Sequence, residues 1–206
     1  MKADDLQQVR PGFHDAALGS QAVFRTALSA LSHPGRVIEM PEVSALPRHG
    51  HGAAAVLLQA LVDSDCSVWL SPALAGTDAA AWLRFHTGCR WAASPAAARF
   101  LWVAEADELP ALSSLDAGTD EYPDQSATCV IEVSALGAQE AADLVLTGPG
   151  IATEQTLSVH GLPDDFVDQW TVSHARFPRG VDLFLATSTH IAGLPRTTRV
   201  RAMQEA

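Results

Sequence analysis

The segment Gly193-Leu194-Pro195-Arg196-Thr197-Thr198 sets an arginine and two hydroxyls just past a rigid proline. A guanidinium fork beside threonine hydroxyls suits phosphate or carboxylate oxygens, through charge-assisted and often bidentate hydrogen bonds. The plainer alternative leaves Arg196 on the surface of an edge strand, with Thr197 and Thr198 as ordinary strand residues. Asp182 stands in the apolar run 181–186, where an unpaired carboxylate is costly. Pairing with an arginine or with backbone amides is therefore expected, which makes Asp182 a brace before it makes it an acid or base. Arg84, His86 and Thr87 close a helical stretch before Gly88. Two residues apart on a regular helix, Arg84 and His86 would not share a face, but where the chain leaves helical geometry both can point into one pocket. The competing readings are an Arg84 that pairs with Asp63 or Asp65 and a His86 that is a satisfied buried imidazole. Gly148-Pro149-Gly150 follows an apolar run; its amides could face a phosphate, or it could simply join two strands of a hairpin. His49-x-His51 has metal-ligand spacing, but with glycines around it and no acid or cysteine nearby it reads as a loop.

Several chemistries are excluded outright. Lys2 is the only lysine, so a Schiff base to pyridoxal phosphate lacks a well-placed amine. A phosphate-binding P-loop lacks its Gly-Lys pair. Neither a Gly-x-Ser-x-Gly elbow, a His-Glu-x-x-His helix nor a Cys-x-x-Cys pair occurs. Cys66, Cys89 and Cys129 are odd in number and far apart, which suggests neither a disulfide framework nor a zinc knuckle. No cofactor and no metal is expected.

Charge is unevenly placed. Between Arg99 and Arg176 there is no lysine or arginine, while Glu105 through Asp168 supply 14 acids. An anion site must draw its cations from the two flanking stretches, with Arg84 and Arg196 the natural pair, because the acidic block would repel phosphate within a Debye length of ~8–10 Å. With a net charge of −11 and no basic face, nucleic-acid binding is not expected. The longest pure apolar run, 53–58, is far below the ~20 residues needed to span a bilayer. The first residues carry Asp4, Asp5 and Arg10 rather than a signal-type apolar stretch. A cytoplasmic protein without membrane contact is expected.

The elements that must position these residues follow from periodicity. Residues 20–31 read as an amphipathic helix with Val23, Ala27, Ala30 and Leu31 on one stripe, stopped by Pro34-Gly35. Residues 53–62 read as a buried helix, 78–87 as a helix capped by Asp78, 107–115 as a short helix and 164–175 as another. Strands are expected at 36–40, 68–70, 100–104, 128–133, 144–147, 156–159, 181–186, 190–193 and 199–201. Early alternation of helix and strand, with strands clustered late, predicts a mixed sheet covered on both faces and hairpins in its second half. One domain over 1–206 is expected, with residues 1–17 as a frayed or extended arm. The five tryptophans read as core or interface aromatics.

Taken in order, Phe24-Arg25, His33-Pro34-Gly35, Leu61-Val62-Asp63-Ser64-Asp65, Ser67-Val68-Trp69-Leu70-Ser71 and Leu83-Arg84-Phe85-His86-Thr87 resemble one protein family. So do Gly148-Pro149-Gly150-Ile151, Phe177-Pro178-x-Gly180-x-Asp182 and Leu194-Pro195-Arg196-Thr197-Thr198. It is the H subunit, PhnH, of the bacterial carbon–phosphorus lyase system of phosphonate breakdown. The resemblance implies a three-layer α/β/α sandwich with a mixed central sheet, similar in shape to pyridoxal-phosphate transferases but without the cofactor. It implies a homodimer that works with the G, I and J subunits. Together with an L subunit, that complex displaces adenine from ATP by a phosphonate to give a ribose 1-phosphonate 5-triphosphate. The resemblance implies that the H subunit is required but assigns it no particular catalytic step, and a phosphate, phosphonate or nucleotide would bind at Arg84, His86, Thr87, Gly148, Gly150, Asp182 and Arg196 to Thr198. Two other readings stand beside it: a stand-alone transferase or hydrolase of a phosphorylated metabolite, with His86 as general base, and a purely structural adaptor.

Overall fold

A computed structural model describes residues 12–41, 45–137 and 143–203. The expected arm over 1–17 and Lys2 fall largely outside these residues; within them, Gly12 bridges Ala45 and helix α1 already begins at Ala16–Ser32. Asp15 caps α1 by accepting from the Leu18 amide at 2.9 Å. Of the predicted stripe, Val23, Ala27 and Ala30 are the buried residues of α1, while Leu31 is half-buried against the same core.

Seven strands form the central sheet in the order β1-β10-β9-β5-β4-β2-β3. They are β1 (Ile38–Glu39), β10 (His190–Leu194), β9 (Asp182–Ala186), β5 (Thr128–Glu132), β4 (Phe100–Val103), β2 (Ser67–Leu70) and β3 (Arg90–Trp91). From β9 to β3 neighbouring strands are parallel, while β10 pairs antiparallel with both β9 and β1. The sheet is therefore mixed, as the sequence pattern predicts. Near-continuous apolar runs in β4, β5 and β9 are what parallel strands buried on both faces require. Alternation sorts them cleanly: Trp102, Val130, Phe184 and Ala186 join one core cluster, and Leu101, Val103, Cys129, Ile131, Leu183 and Leu185 the other.

The first core lies under α1, α2 (Gly52–Leu61), the short α3 (Pro72–Ala75) and α4 (Asp78–Thr87). Gly193 lets α1 come down onto β10, where a Cβ would stand 2.6 Å from the Ala30 carbonyl. The second core differs from the simplest α/β/α expectation. It is covered by α5 (Phe166–His174) together with a separate four-stranded antiparallel sheet. That sheet runs in the order β11-β7-β8-β6, formed by Arg199–Ala202, Leu144–Thr147, Gln155–His160 and Ala135–Gly137. The late hairpins of the sequence reading thus exist, but most of them build a second sheet rather than extend the first.

Three local expectations are corrected. Asp78 is not the cap of α4; Thr77 is, accepting from the Ala79 amide at 3.2 Å. Asp78 instead occupies the first helical turn, where a carboxylate also suits the helix dipole. Residues 107–115 contain only a single 3₁₀ turn, Leu112–Ser114, because Pro110 interrupts the run. The strand at 36–40 shrinks to Ile38–Glu39.

Candidate functional site

Arg196 stands two residues past the end of β10, after Pro195, where the chain leaves the central sheet for β11 of the second. Asp182, the first residue of β9, sits beside it because β9 and β10 pair with Leu183 opposite Leu194. The carboxylate of Asp182 accepts from the Arg196 amide at 2.8 Å and from Nε at 3.2 Å through Oδ1, and from Nη2 at 2.5 Å through Oδ2. Nη2 also donates to Ser126 Oγ at 2.6 Å, and Nη1 donates to the Pro123 carbonyl. Four of the five guanidinium N–H donors are thus engaged within the chain. Only 14% of the Arg196 side chain and 20% of Asp182 are exposed. The geometry makes the pair a brace that ties β9, β10 and the 123–126 turn together.

The neighbouring candidates serve the same junction. Thr198 is fully buried, its carbonyl accepts from Trp170 Nε1 at 2.8 Å, and its Oγ1 has no hydrogen-bond partner among the described residues. His174 Nδ1 donates to the Arg196 carbonyl at 2.9 Å, so α5 reads the backbone of the same turn. Thr197 is half-buried. Gly148, at φ 136°, lies against it, and a Cβ there would stand 2.9 Å from the Thr197 carbonyl. Gly150, at φ 85°, packs so close to the Ser32 carbonyl at the end of α1 that no Cβ fits. Gly148-Pro149-Gly150 joins β7 to its antiparallel partner β8, which is the hairpin reading, with its glycines used for close packing.

Arg84, His86 and Thr87 lie elsewhere, in the last turn of α4. Arg84 is exposed, and its guanidinium has no hydrogen bond or ion pair among the described residues; in particular it does not pair with Asp63 or Asp65. The His86 ring lies 4.7 Å from that of Trp82 and 5.1 Å, edge-on, from that of Phe85. Thr87 turns back into the helix end, its Oγ1 donating to the Leu83 carbonyl at 2.8 Å and accepting from the Cys89 amide at 3.2 Å. Because α4 belongs to the layer over the first core and Arg196 meets α5 over the second, the two candidate groups do not form one pocket. Arg84 instead borders an open hollow of about 500 Å³ with Ala80, Ala81, Phe85, Gly88 and Trp91.

A third cluster surrounds the His49-x-His51 loop, whose acidic partners the sequence reading did not find. At the carboxyl ends of the parallel strands, where open α/β sheets usually bind ligands, the 48–52 loop is strapped down. Glu132, 3% exposed, accepts from the His51 amide at 2.5 Å and from Trp102 Nε1 at 2.7 Å. His51 Nδ1 donates to the Ala186 carbonyl at 3.1 Å, and its Nε2 lies 3.5 Å from Glu105. His49 turns the other way, to Asp78 at 2.7 Å, so the two imidazoles of the His-x-His pair have different partners. Burial pushes the Asp78 carboxyl up, but hydrogen bonds from the Arg48 amide and His49 outweigh it and hold Asp78 below the ordinary carboxylate value. The sequence signal was a lone acid, Glu132, closing the apolar run 128–133.

Fold and site together define an α/β protein whose most prominent ionic cluster is internal and whose accessible features lie at the edges of its sheet. Comparison with known proteins places it: a family profile described as bacterial phosphonate metabolism protein (PhnH) matches residues 11–201, and the chain belongs to that family. It is 37% identical over 189 residues, covering 91% of this chain and 93% of the relative, to the "Alpha-D-ribose 1-methylphosphonate 5-triphosphate synthase subunit PhnH" of Rhizobium meliloti (strain 1021). It is 39% identical over 186 residues, covering 87% of this chain and 85% of the relative, to the "Putative C-P lyase subunit protein HtxG" of Stutzerimonas stutzeri. Among the described residues, no helix is long and apolar enough to cross a membrane.

Proposed function

We propose that this chain is the H-type subunit of a carbon–phosphorus lyase assembly. It supports the formation of a ribose 1-phosphonate 5-triphosphate from ATP and a phosphonate, as a structural or co-catalytic partner of the G, I and J subunits. The observation that carries the reading is the match along nearly the whole chain to a relative named as a synthase subunit, with a second relative also named as a subunit. The site geometry supports it. A stand-alone transferase or hydrolase would need Arg196 turned toward substrate and His86 near it; Arg196 is held by Asp182 and Ser126, and His86 belongs to the opposite layer. Of the arginines singled out from the sequence, Arg84 is the one whose guanidinium is open to an oxyanion from outside, whether a phosphate, a phosphonate, a nucleotide or a protein carboxylate. The proposal extends to a cytoplasmic homodimer with an overall shape akin to pyridoxal-phosphate transferases.

The test is co-expression of the chain with its G, I and J subunits, followed by size-exclusion chromatography and an assay of phosphonate-dependent adenine release after adding the L subunit. A stoichiometric complex whose activity is lost when this chain is omitted is the expected result. Properly folded partners that assemble and release adenine equally well without it would overturn the reading.

A further inference from the structure

Between the parallel neighbours β2 and β4 the chain changes the side on which it crosses the sheet. The connection from β2 to β3 carries Leu74, Ala79, Trp82 and Leu83 into the first core. The connection from β4 to β5 carries Leu109, Leu112 and Leu115 into the second. Where connections part to opposite faces, the carboxyl ends of the strands leave a crevice that suits ligands. The 48–52 loop lies over these strand ends. His51 Nδ1 donates to the carbonyl of Ala186, the last residue of β9, and Nε2 reaches Glu105, two residues past β4. The imidazole therefore spans the end of β5, the strand between them. Beneath it, the Glu132 carboxylate holds both the His51 amide and Trp102 Nε1. The ring is thus oriented through its backbone and through Nδ1, while Nε2 stands 3.5 Å from Glu105, with side-chain exposures of 25% and 40%. That separation exceeds the roughly 2.7–3.2 Å of a direct N–H···O bond, so both groups keep hydrogen-bonding capacity for a third.

We infer that His51 and Glu105 together grip an uncharged nitrogen heterocycle that carries an N–H donor beside a ring-nitrogen acceptor, the class to which adenine belongs. Protonated Nε2 donates to the ring nitrogen, and the Glu105 carboxylate accepts from the amino group. This is the side-by-side donor and acceptor pattern by which proteins read adenine elsewhere. The inference rests on the subunit reading above and deepens it, because the reaction named there sets adenine free. Charge and size select the class. Glu105, Asp107 and Glu108 border the mouth with Glu132, and the His49–Asp78 pair lies along the same loop; against these stands Arg48. That excess of carboxylates repels a phosphate or triphosphate but not an uncharged ring. A directly held metal ion is disfavoured, since among the described residues no three His, Cys, Asp or Glu side chains converge as ligands. The hollow bordered by Glu105 measures about 220 Å³ and has Leu109, Ile131, Leu162 and Pro163 as apolar walls. It is smaller than the roughly 300–1,000 Å³ of drug-sized sites, which suits a single small ring.

The test titrates adenine into the full chain by calorimetry, with AMP and ATP for comparison, and then measures inhibition by adenine of the assembly with G, I, J and L. Adenine should bind the isolated chain at least about 10-fold more tightly than AMP or ATP. His51→Asn retains an N–H for the Ala186 carbonyl and removes Nε2, Glu105→Ala removes the acceptor at an exposed position, and Glu105→Gln retains one. The first two should weaken adenine binding by about 10-fold or more, the scale of a lost hydrogen bond to a charged group, and Glu105→Gln by less. Circular dichroism and thermal unfolding verify each variant, and Glu105→Ala decides the matter if His51→Asn does not fold. In the assembly, both should leave complex formation intact and raise the inhibitory adenine concentration by a similar factor. Absence of adenine binding, binding unchanged in both variants, or ATP bound as tightly as adenine would overturn the inference and leave the subunit reading intact. Variants that lose assembly instead would make this mouth a protein contact, which also overturns it. If the assembly releases adenine equally well without this chain, the subunit reading falls, whatever the isolated chain binds.

Discussion

At the residue scale, the lesson lies in Arg196 and Asp182. Residue types alone point to an oxyanion site, because a guanidinium after a proline and beside two threonines looks prepared for a ligand. What the types do not show is that the ligand is already supplied by the chain. The requirement that a carboxylate in an apolar run be compensated did predict an arginine partner for Asp182, and it carries more weight here than the motif. Asp182→Ala should leave a largely buried guanidinium without its counter-charge, and breaking such pairs costs about 3–5 kcal/mol when burial is complete. With 14% of Arg196 still exposed, a loss of about 2–4 kcal/mol is expected, measured as a lower midpoint in urea at an unchanged slope. An unaltered midpoint would show that the pair does not brace the fold and would return Arg196 to the list of free cations.

At the element scale, the 48–52 loop shows how backbone groups are satisfied at the end of a parallel sheet. Its amides find carboxylates instead of a ladder: Arg48 donates to Asp78 at 2.7 Å and His51 to Glu132. Gly50 makes the path feasible, since at φ 80° a Cβ would stand 2.5 Å from the Trp102 ring. The Asp78 carboxyl is held below its unfolded value, so its contribution to stability is full above the unfolded pKa of about 3.9 and is lost as pH falls through the lower folded value. Hydrogen exchange corrected for intrinsic rates should therefore show the amides of Arg48 and His49 opening selectively as pH falls below about 4, and Asp78→Asn should make that opening insensitive to pH. Opening that tracks pH equally in Asp78→Asn would assign it to another group. Much of this scale was legible beforehand: helices over 53–62 and 78–87 and strands in the apolar runs emerge from periodicity. The strap was not, because Glu132, Trp102 and Asp78 are far from the loop in sequence and only the strand order brings them to it. The second sheet was hidden for the same reason, since β7, β8 and β11 look like further members of one sheet until their partners are known.

At the scale of the whole molecule, the three cysteines report how unevenly the fold is protected. Cys129 lies in β5, between β4 and β9, with no exposed surface, and burial pushes its thiol up to about 12. Cys89 is buried beyond the end of α4, where burial also raises its thiol. Cys66 is half-buried at the entry to β2, close to the β3 edge of the central sheet; its thiol is raised chiefly by burial and bonds to Asp63. Because the thiolate is the reacting form, burial slows all three thiols, and access sets the order of reaction with a disulfide reagent: Cys66, then Cys89, then Cys129. A local fluctuation at the sheet edge suffices to admit reagent to Cys66, whereas Cys129 requires its two flanking strands to separate, which is global unfolding. Its modification rate should therefore rise with urea along the same slope as the unfolding equilibrium measured by tryptophan fluorescence, while that of Cys66 stays nearly flat below the transition.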